Sequence, residues 1–98
     1  MRKYITPMLI IQGIRCRIVR DVKWTFVKKL NKKFLTRDTY NFYAWDNKGN
    51  VWYFGKDDFK YLYNDNWRLF KVSTQGSWLA GKNGAFPRII IPTRVNPK

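Results

Sequence analysis

The sequence predicts a mainly β fold, α+β at most: a small barrel or bent antiparallel sheet with one or two short helices. Three observations carry this expectation. The stretch DTYNFYAWDNKGNVWYFG, residues 38–55, reads as a hairpin. Several other short segments alternate apolar and polar residues with the two-residue period of strands. Aromatic residues make up 18% of the chain, which lets one core supply the burial a small domain needs without metal or disulfides.

In the hairpin, Asp46-Asn47-Lys48-Gly49 fits a type I turn with glycine at the fourth position, where a positive φ makes a G1 bulge. The turn predicts the pairs Trp45 with Val51, Ala44 with Trp52, Tyr43 with Tyr53 and Phe42 with Phe54. Phe42, Ala44, Trp52 and Phe54 then share a core face. Tyr43, Trp45, Val51 and Tyr53 share the other, which is either a second core layer or a platform for stacking on a flat ligand.

Residues 8–11 and 14–20 read as a strand pair or one bent strand, with Gly13 at the bulge or bend. Ile14, Cys16 and Ile18 alternate there with Arg15 and Arg17. Two periodicities fit residues 21–34: a strand over 22–27 followed by a basic loop, which the β-branched and aromatic residues favour, or a helix capped by Asp21. Phe59, Leu62 and Tyr63 have the spacing of a short helix over 56–64, with Asp57 and Asp58 at its start. Residues 67–72 alternate as a strand. Residues 73–85 read as a loop anchored by Trp78 and Leu79, and residues 88–91, bounded by Pro87 and Pro92, as an edge strand. The expected organisation is one basic β-rich domain over residues 1–92 and a frayed basic tail over 93–98. In outline, a strand, a long polar connection near residues 20–37 and a tight meander resemble SH3-like barrels, in the same size class as OB-like barrels. That resemblance implies a fold and no function.

Composition narrows the chemistry. Cys16 is the single cysteine, so no internal disulfide forms, and its apolar neighbours predict a small buried residue. The chain has no histidine, and its six acids are all aspartates, which removes most acid–base, triad and metal-ligand arrangements. Asp46 with Asp58-Phe59-Lys60 resembles the Asp…Asp-x-Lys spacing of metal-dependent nucleases, in which two carboxylates hold Mg²⁺ and a lysine assists the attacking water. Here Asp46 is required by the turn, Asp58 by the helix start, and no glutamate supports the set. The expectation is no enzyme, no metal and no cofactor. Glycines 76, 81 and 84 form no nucleotide-binding loop pattern.

The net charge of +14 is unevenly spread: +10 over residues 1–37, −2 over 38–66 and +6 over 67–98. Both flanks are therefore expected to contribute one positive surface. Non-enzymatic binding of nucleic acid, DNA or RNA, is the leading expectation. Arg15, Arg17, Arg20, Lys28, Lys29, Lys32 and Lys33 would meet phosphates, and Tyr43, Trp45 and Tyr53 would stack on bases. The alternative is a small interaction or inhibitor protein docking on an acidic surface of a host protein, since Arg, Trp and Tyr also make interface hot spots. A membrane-surface role is not expected, because the tryptophan and phenylalanines of residues 22–35 serve the core. The N-terminal Met1-Arg2-Lys3 and following apolar patch lack a signal-peptide pattern, and no run approaches the ~20 residues that span a bilayer, which predicts a cytoplasmic protein. The abundance of Lys, Asn, Tyr, Phe and Ile is what an AT-rich gene encodes and points to a bacteriophage or another mobile element.

Overall fold

The computed structural model of the protein describes the backbone of residues 2–90 and the side chains of residues 8–90. The strands are β1 (Arg2–Ile11), β2 (Ile14–Val27), β3 (Lys32–Trp45), β4 (Val51–Tyr63), β5 (Leu69–Ser73), β6 (Trp78–Leu79) and β7 (Arg88–Ile90). They form one antiparallel sheet ordered β1-β2-β3-β4-β5. Three short strands tile the outer edge of β4 in turn: β7 at residues 51–53, β6 at 55–56 and β5 at 60–63. The sheet curls into a half-barrel, in agreement with the β-rich, barrel-like fold class. Its radius of gyration is 16.7 Å, well above the roughly 13 Å of a closed domain of this length.

The hairpin at residues 46–49 folds as its sequence predicts. Gly49 has φ +84 and donates its N–H to the Asp46 carbonyl at 3.2 Å, and the Asp46 N–H bonds Asn50 O at 3.0 Å. Trp45 pairs with Val51, Ala44 with Trp52 and Tyr43 with Tyr53. Beyond that point the register shifts by one: Phe42 faces Gly55 instead of Phe54, which is the extra residue of a β-bulge. Phe42, Ala44 and Phe54 still join the core with Ile11, Cys16 and Ala80. Gly81 approaches the Gln12 side chain so closely that a Cβ at residue 81 would lie 2.8 Å from its Cγ. The loop after β6 thus reaches across to the β1–β2 turn and closes the curl over this core. Cys16 is buried as expected, and burial raises its thiol pKa, so the group stays protonated.

Four further expectations are corrected. Gly13 is neither bulge nor bend but completes a two-residue turn with Gln12, with φ +76 and +51 respectively. Residues 20–37 are not a long irregular connection. β2 and β3 pair along this length with one register shift between Lys23 and Trp24, and are joined by a single 3-10 turn at Lys28–Leu30 with Asn31 in the left-handed conformation. No helix forms over 56–64. Pairing with β3 on one side and with β5, β6 and β7 on the other holds that segment in β4, and tertiary pairing outweighs its helical spacing. The short helices are therefore absent among the described residues, apart from the 3-10 turn. Finally, Trp67 lies in the turn before β5, with φ +60. Residues 88–90 do form an edge strand on β4, whereas residues 91–98, the tail included, lie outside the described residues. Among the described residues no helix is long and apolar enough to cross a membrane.

Candidate nucleic-acid interface

Residues paired across an antiparallel sheet point to the same side. The pairings therefore place Arg15, Arg17, Asp21 and Lys23 of β2 on one face with Arg37, Thr39, Asn41, Tyr43 and Trp45 of β3. The same face carries Val51, Tyr53, Lys56, Asp58 and Lys60 of β4, Trp78 of β6 and Arg88 of β7. The opposite face carries the core.

One end of this polar face is aromatic. Tyr43 and Tyr53 stack with ring centres 5.1 Å apart, and Trp78 meets Tyr53 edge-on at 5.2 Å. Arg17 lies over the Trp45 ring at 5.4 Å and Arg88 over Trp78 at 5.2 Å. Trp45 is 53% exposed, whereas the two tyrosines are half-buried. Of the three expected stacking residues, Trp45 offers open ring surface and the tyrosines form the wall beside it. Burial pushes the Tyr53 hydroxyl up to about 12, which keeps its proton in place for the 2.7 Å bond it donates to Asn41 Oδ1.

Next to this wall lies a cleft of about 450 Å³ lined by Asp21, Val22, Lys23, Arg37, Thr39, Asn41 and Lys56. Behind its lining residues Arg37, Thr39 and Lys56 lies Asp58, which is fully buried. Arg37 clasps that carboxylate with two hydrogen bonds, Nε at 2.9 Å and Nη2 at 2.7 Å, and the Thr39 hydroxyl donates a third at 2.9 Å. Lys56 and Lys60 stand 3.6 and 3.9 Å away. The Asp58 N–H bonds the Ser77 hydroxyl at 2.8 Å, which ties the loop before β6 to β4. The cleft's lining carries Lys23, Arg37 and Lys56 against Asp21, and with Asp58 behind them one positive charge remains in excess. A second cleft of about 320 Å³ opens beside Trp78 and Arg88.

The expected phosphate-binding residues do not form one site. Arg15 and Arg17 belong to the polar face. Arg20 points to the opposite one, because its separation of three from Arg17 is odd; there it is bound to Asp38 at 2.9 and 2.8 Å and covers the Tyr40 ring at 5.2 Å. Lys28, Lys29, Lys32 and Lys33 occupy the tip of the β2–β3 hairpin. Ten residues of β3 separate Lys33 from Tyr43, roughly 30 Å at the rise of a strand. Lys23 and Arg37 were expected in the same basic field and Trp78 as a loop anchor, whereas Lys56 and Arg88 were not singled out from the sequence; Lys56 and its partner Trp78 reach this face through the bulge, and Arg88 through the pairing of β7 with β4.

The nuclease-like spacing does not assemble. Asp46 accepts hydrogen bonds from the Lys48 and Asn50 N–H groups, Asn50 Nδ2 and Trp52 Nε1, and these hold its carboxyl well below the usual range. Asp58 lies seven residues along β4 from Val51, the strand end nearest that turn, and its oxygens are engaged by Arg37 and Thr39. Among the described residues no group of three His, Cys, Asp or Glu is placed to hold a metal ion. Asp46→Ala is expected to lower the melting temperature and Asp46→Asn to lower it less, since the amide keeps one acceptor oxygen; equal melting of both variants and the parent would refute this role. Compared with protein-family models, curated proteins and solved structures, the chain matches none.

Proposed function

We propose that the protein binds single-stranded nucleic acid, without catalysing a reaction, on the polar face of its half-barrel. The observation that carries this reading is the conjunction of an exposed, arginine-flanked indole, Trp45, with a positive cleft of nucleotide size on the same face. Stacking on aromatic rings is indifferent to sequence, and lysine and arginine beside the rings neutralise the connecting phosphates. Arg15, Arg17, Lys23, Lys56 and Arg88 are the phosphate contacts, and Trp45 is the stacking residue, with Tyr43, Tyr53 and Trp78 as its wall. A single strand is favoured over a duplex because a duplex keeps its base faces stacked internally. A cytoplasmic setting and a phage or mobile-element origin fit this role.

The test is a titration against a short single strand, the matching duplex and an RNA of equal length at several salt concentrations. A single strand held through about five phosphates gives log K falling with log salt at a slope near −3.5. Trp45→Ala is expected to weaken single-strand binding by about 1 to 3 kcal/mol with an unchanged salt slope. Arg17→Glu with Lys23→Glu should flatten the slope. Equal affinity for the duplex, with no effect of Trp45→Ala, would reduce the reading to backbone contact. Absence of binding to all three at low salt would reject it and turn the search to an acidic protein partner.

A further inference from the structure

The end of the molecule farthest from Trp45 was expected to tuck its aromatic residues into the core, and it does the reverse. Trp24 is 54% exposed, Phe26 55% and Leu30, in the hairpin turn, 49%. Trp24 and Phe26 are two residues apart on β2 and so share a face. Lys28, Lys29, Lys32 and Lys33 are exposed around them, with the Lys33 ammonium 6.0 Å from the Trp24 ring centre and Lys32 5.5 Å from that of Phe34. The β4–β5 turn is fastened to the same end: Trp67 stacks on Phe34 at 4.9 Å, and the Tyr63 hydroxyl donates to Leu35 O at 2.6 Å. This brings Leu69 and Phe70, 50% and 65% exposed, alongside with Arg68 and Lys71. Against these six cations the end carries one acid, Asp65.

We propose that this end docks on an anionic phospholipid bilayer surface, with Trp24, Phe26 and Leu30 entering the headgroup boundary and the four hairpin lysines meeting acidic headgroups. Charge complementarity selects an anionic partner and disfavours a second copy of a chain carrying +14. Shape selects the bilayer. The β2–β3 hairpin runs on to Val27 and Lys32, past the last pairs of β1 at Asp21 and of β4 at Arg37, so its tip protrudes; fluid lipids close around a protruding apolar tip, whereas a folded partner must supply a matching pocket. Leu30 at the apex has no ring with which to stack on a base, so a nucleic acid would leave it in water. Tryptophan at the boundary and exposed lysines flanking apolar rings are the chemistry of an interfacial anchor.

Any protein of this charge sediments with acidic vesicles, so the decisive readout is insertion. The full chain is mixed with vesicles of phosphatidylcholine brominated on its acyl chains, with or without phosphatidylserine. Binding only to the acidic vesicles, with quenching of tryptophan fluorescence by the bromines, is expected. The Trp24→Ser, Phe26→Ser double variant should lose the quenching and on the order of tenfold in affinity, its lysines being intact. Leu30→Glu, in a turn outside the strand pairing, should weaken binding in the same direction and serves if the double variant does not fold. Sedimentation without quenching, quenching undiminished in either folded variant, or no sedimentation would overturn the proposal. So would loss of oligonucleotide affinity in these variants with no vesicle binding by the parent, since the tip would then serve nucleic acid.

Discussion

Asp58→Ala is expected to lower the free energy of unfolding by about 3 kcal/mol, a large share of the roughly 5 to 15 kcal/mol that holds an ordinary domain together. The carboxylate is fully buried and receives two hydrogen bonds from Arg37 and one from Thr39, with Lys56 and Lys60 within 4 Å. Removing it leaves three like charges converging on an empty space, whose repulsion the carboxylate had offset. The loss is set at the low end for a broken buried pair because the Arg37 side chain is 37% exposed and recovers part of its hydration. Asp58→Asn retains the shape and one acceptor, so it should cost less than alanine. Urea denaturation of the three proteins measures the order; equal midpoints would show that Asp58 does not hold this face.

The same group sets an acid limit. Hydrogen bonding by the Arg37 guanidinium, opposed by burial and assisted by Thr39, depresses the Asp58 pKa to about 2. An unfolded chain returns an aspartate to about 3.9. A depressed folded value means that the unfolded state binds the proton more readily, so the stabilisation is complete above about pH 4 and is lost as pH falls toward 2. Asp46 acts in the same direction. Stability of the parent should therefore fall over this window, and Asp58→Ala should show a shallower fall from its lower starting point. An unchanged slope in the variant would assign the acid sensitivity to other groups.

Much of the fold is legible in the sequence where local chemistry dictates it. Asp46 and Gly49 impose one turn, and the alternation around it then fixes three cross-strand pairs. The site is legible only as far as Phe54. Extending the turn register unchanged along β3 and β4 would set Asp38 opposite Asp58 and Thr39 opposite Asp57. The bulge adds one residue to β4, and a slip of one exchanges the faces of every β4 residue beyond it. Asp58 thereby joins Arg37 and Thr39, while Asp38 of β3 keeps the face of Phe42 and Ala44 and binds Arg20. A glycine inside an apolar strand pattern, Gly55, was the available signal of that bulge. The exposure of Trp24 and Phe26 was not legible at all, because alternation gives the shared face of two side chains and not whether another layer covers it.

Gly55→Ala tests whether this slip is built into the backbone. At φ +140 a Cβ at residue 55 would press on the Trp78 carbonyl oxygen and come within 3.0 Å of the Leu79 Cα. Both are backbone atoms of the β6 strand paired with β4, so no rotamer change relieves the contact. Either β6 lifts away, breaking the 2.9 Å bond from the Ala80 N–H to Phe54 O, or β4 gives up the bulge and misplaces Asp58. Each route disrupts the core, and a loss of about 3 kcal/mol or more is expected. Gly84→Ala separates the clash from the backbone preference, since φ there is +76 and nothing lies within 4 Å of the added carbon. That variant should lose only about 1 kcal/mol. Denaturant titration compares the two, and amide exchange at Ala80 reports whether β6 is the part that moves. Equal losses in both variants would mean that left-handed backbone alone sets the cost, and that glycine at 55 is not required by the close approach of β6.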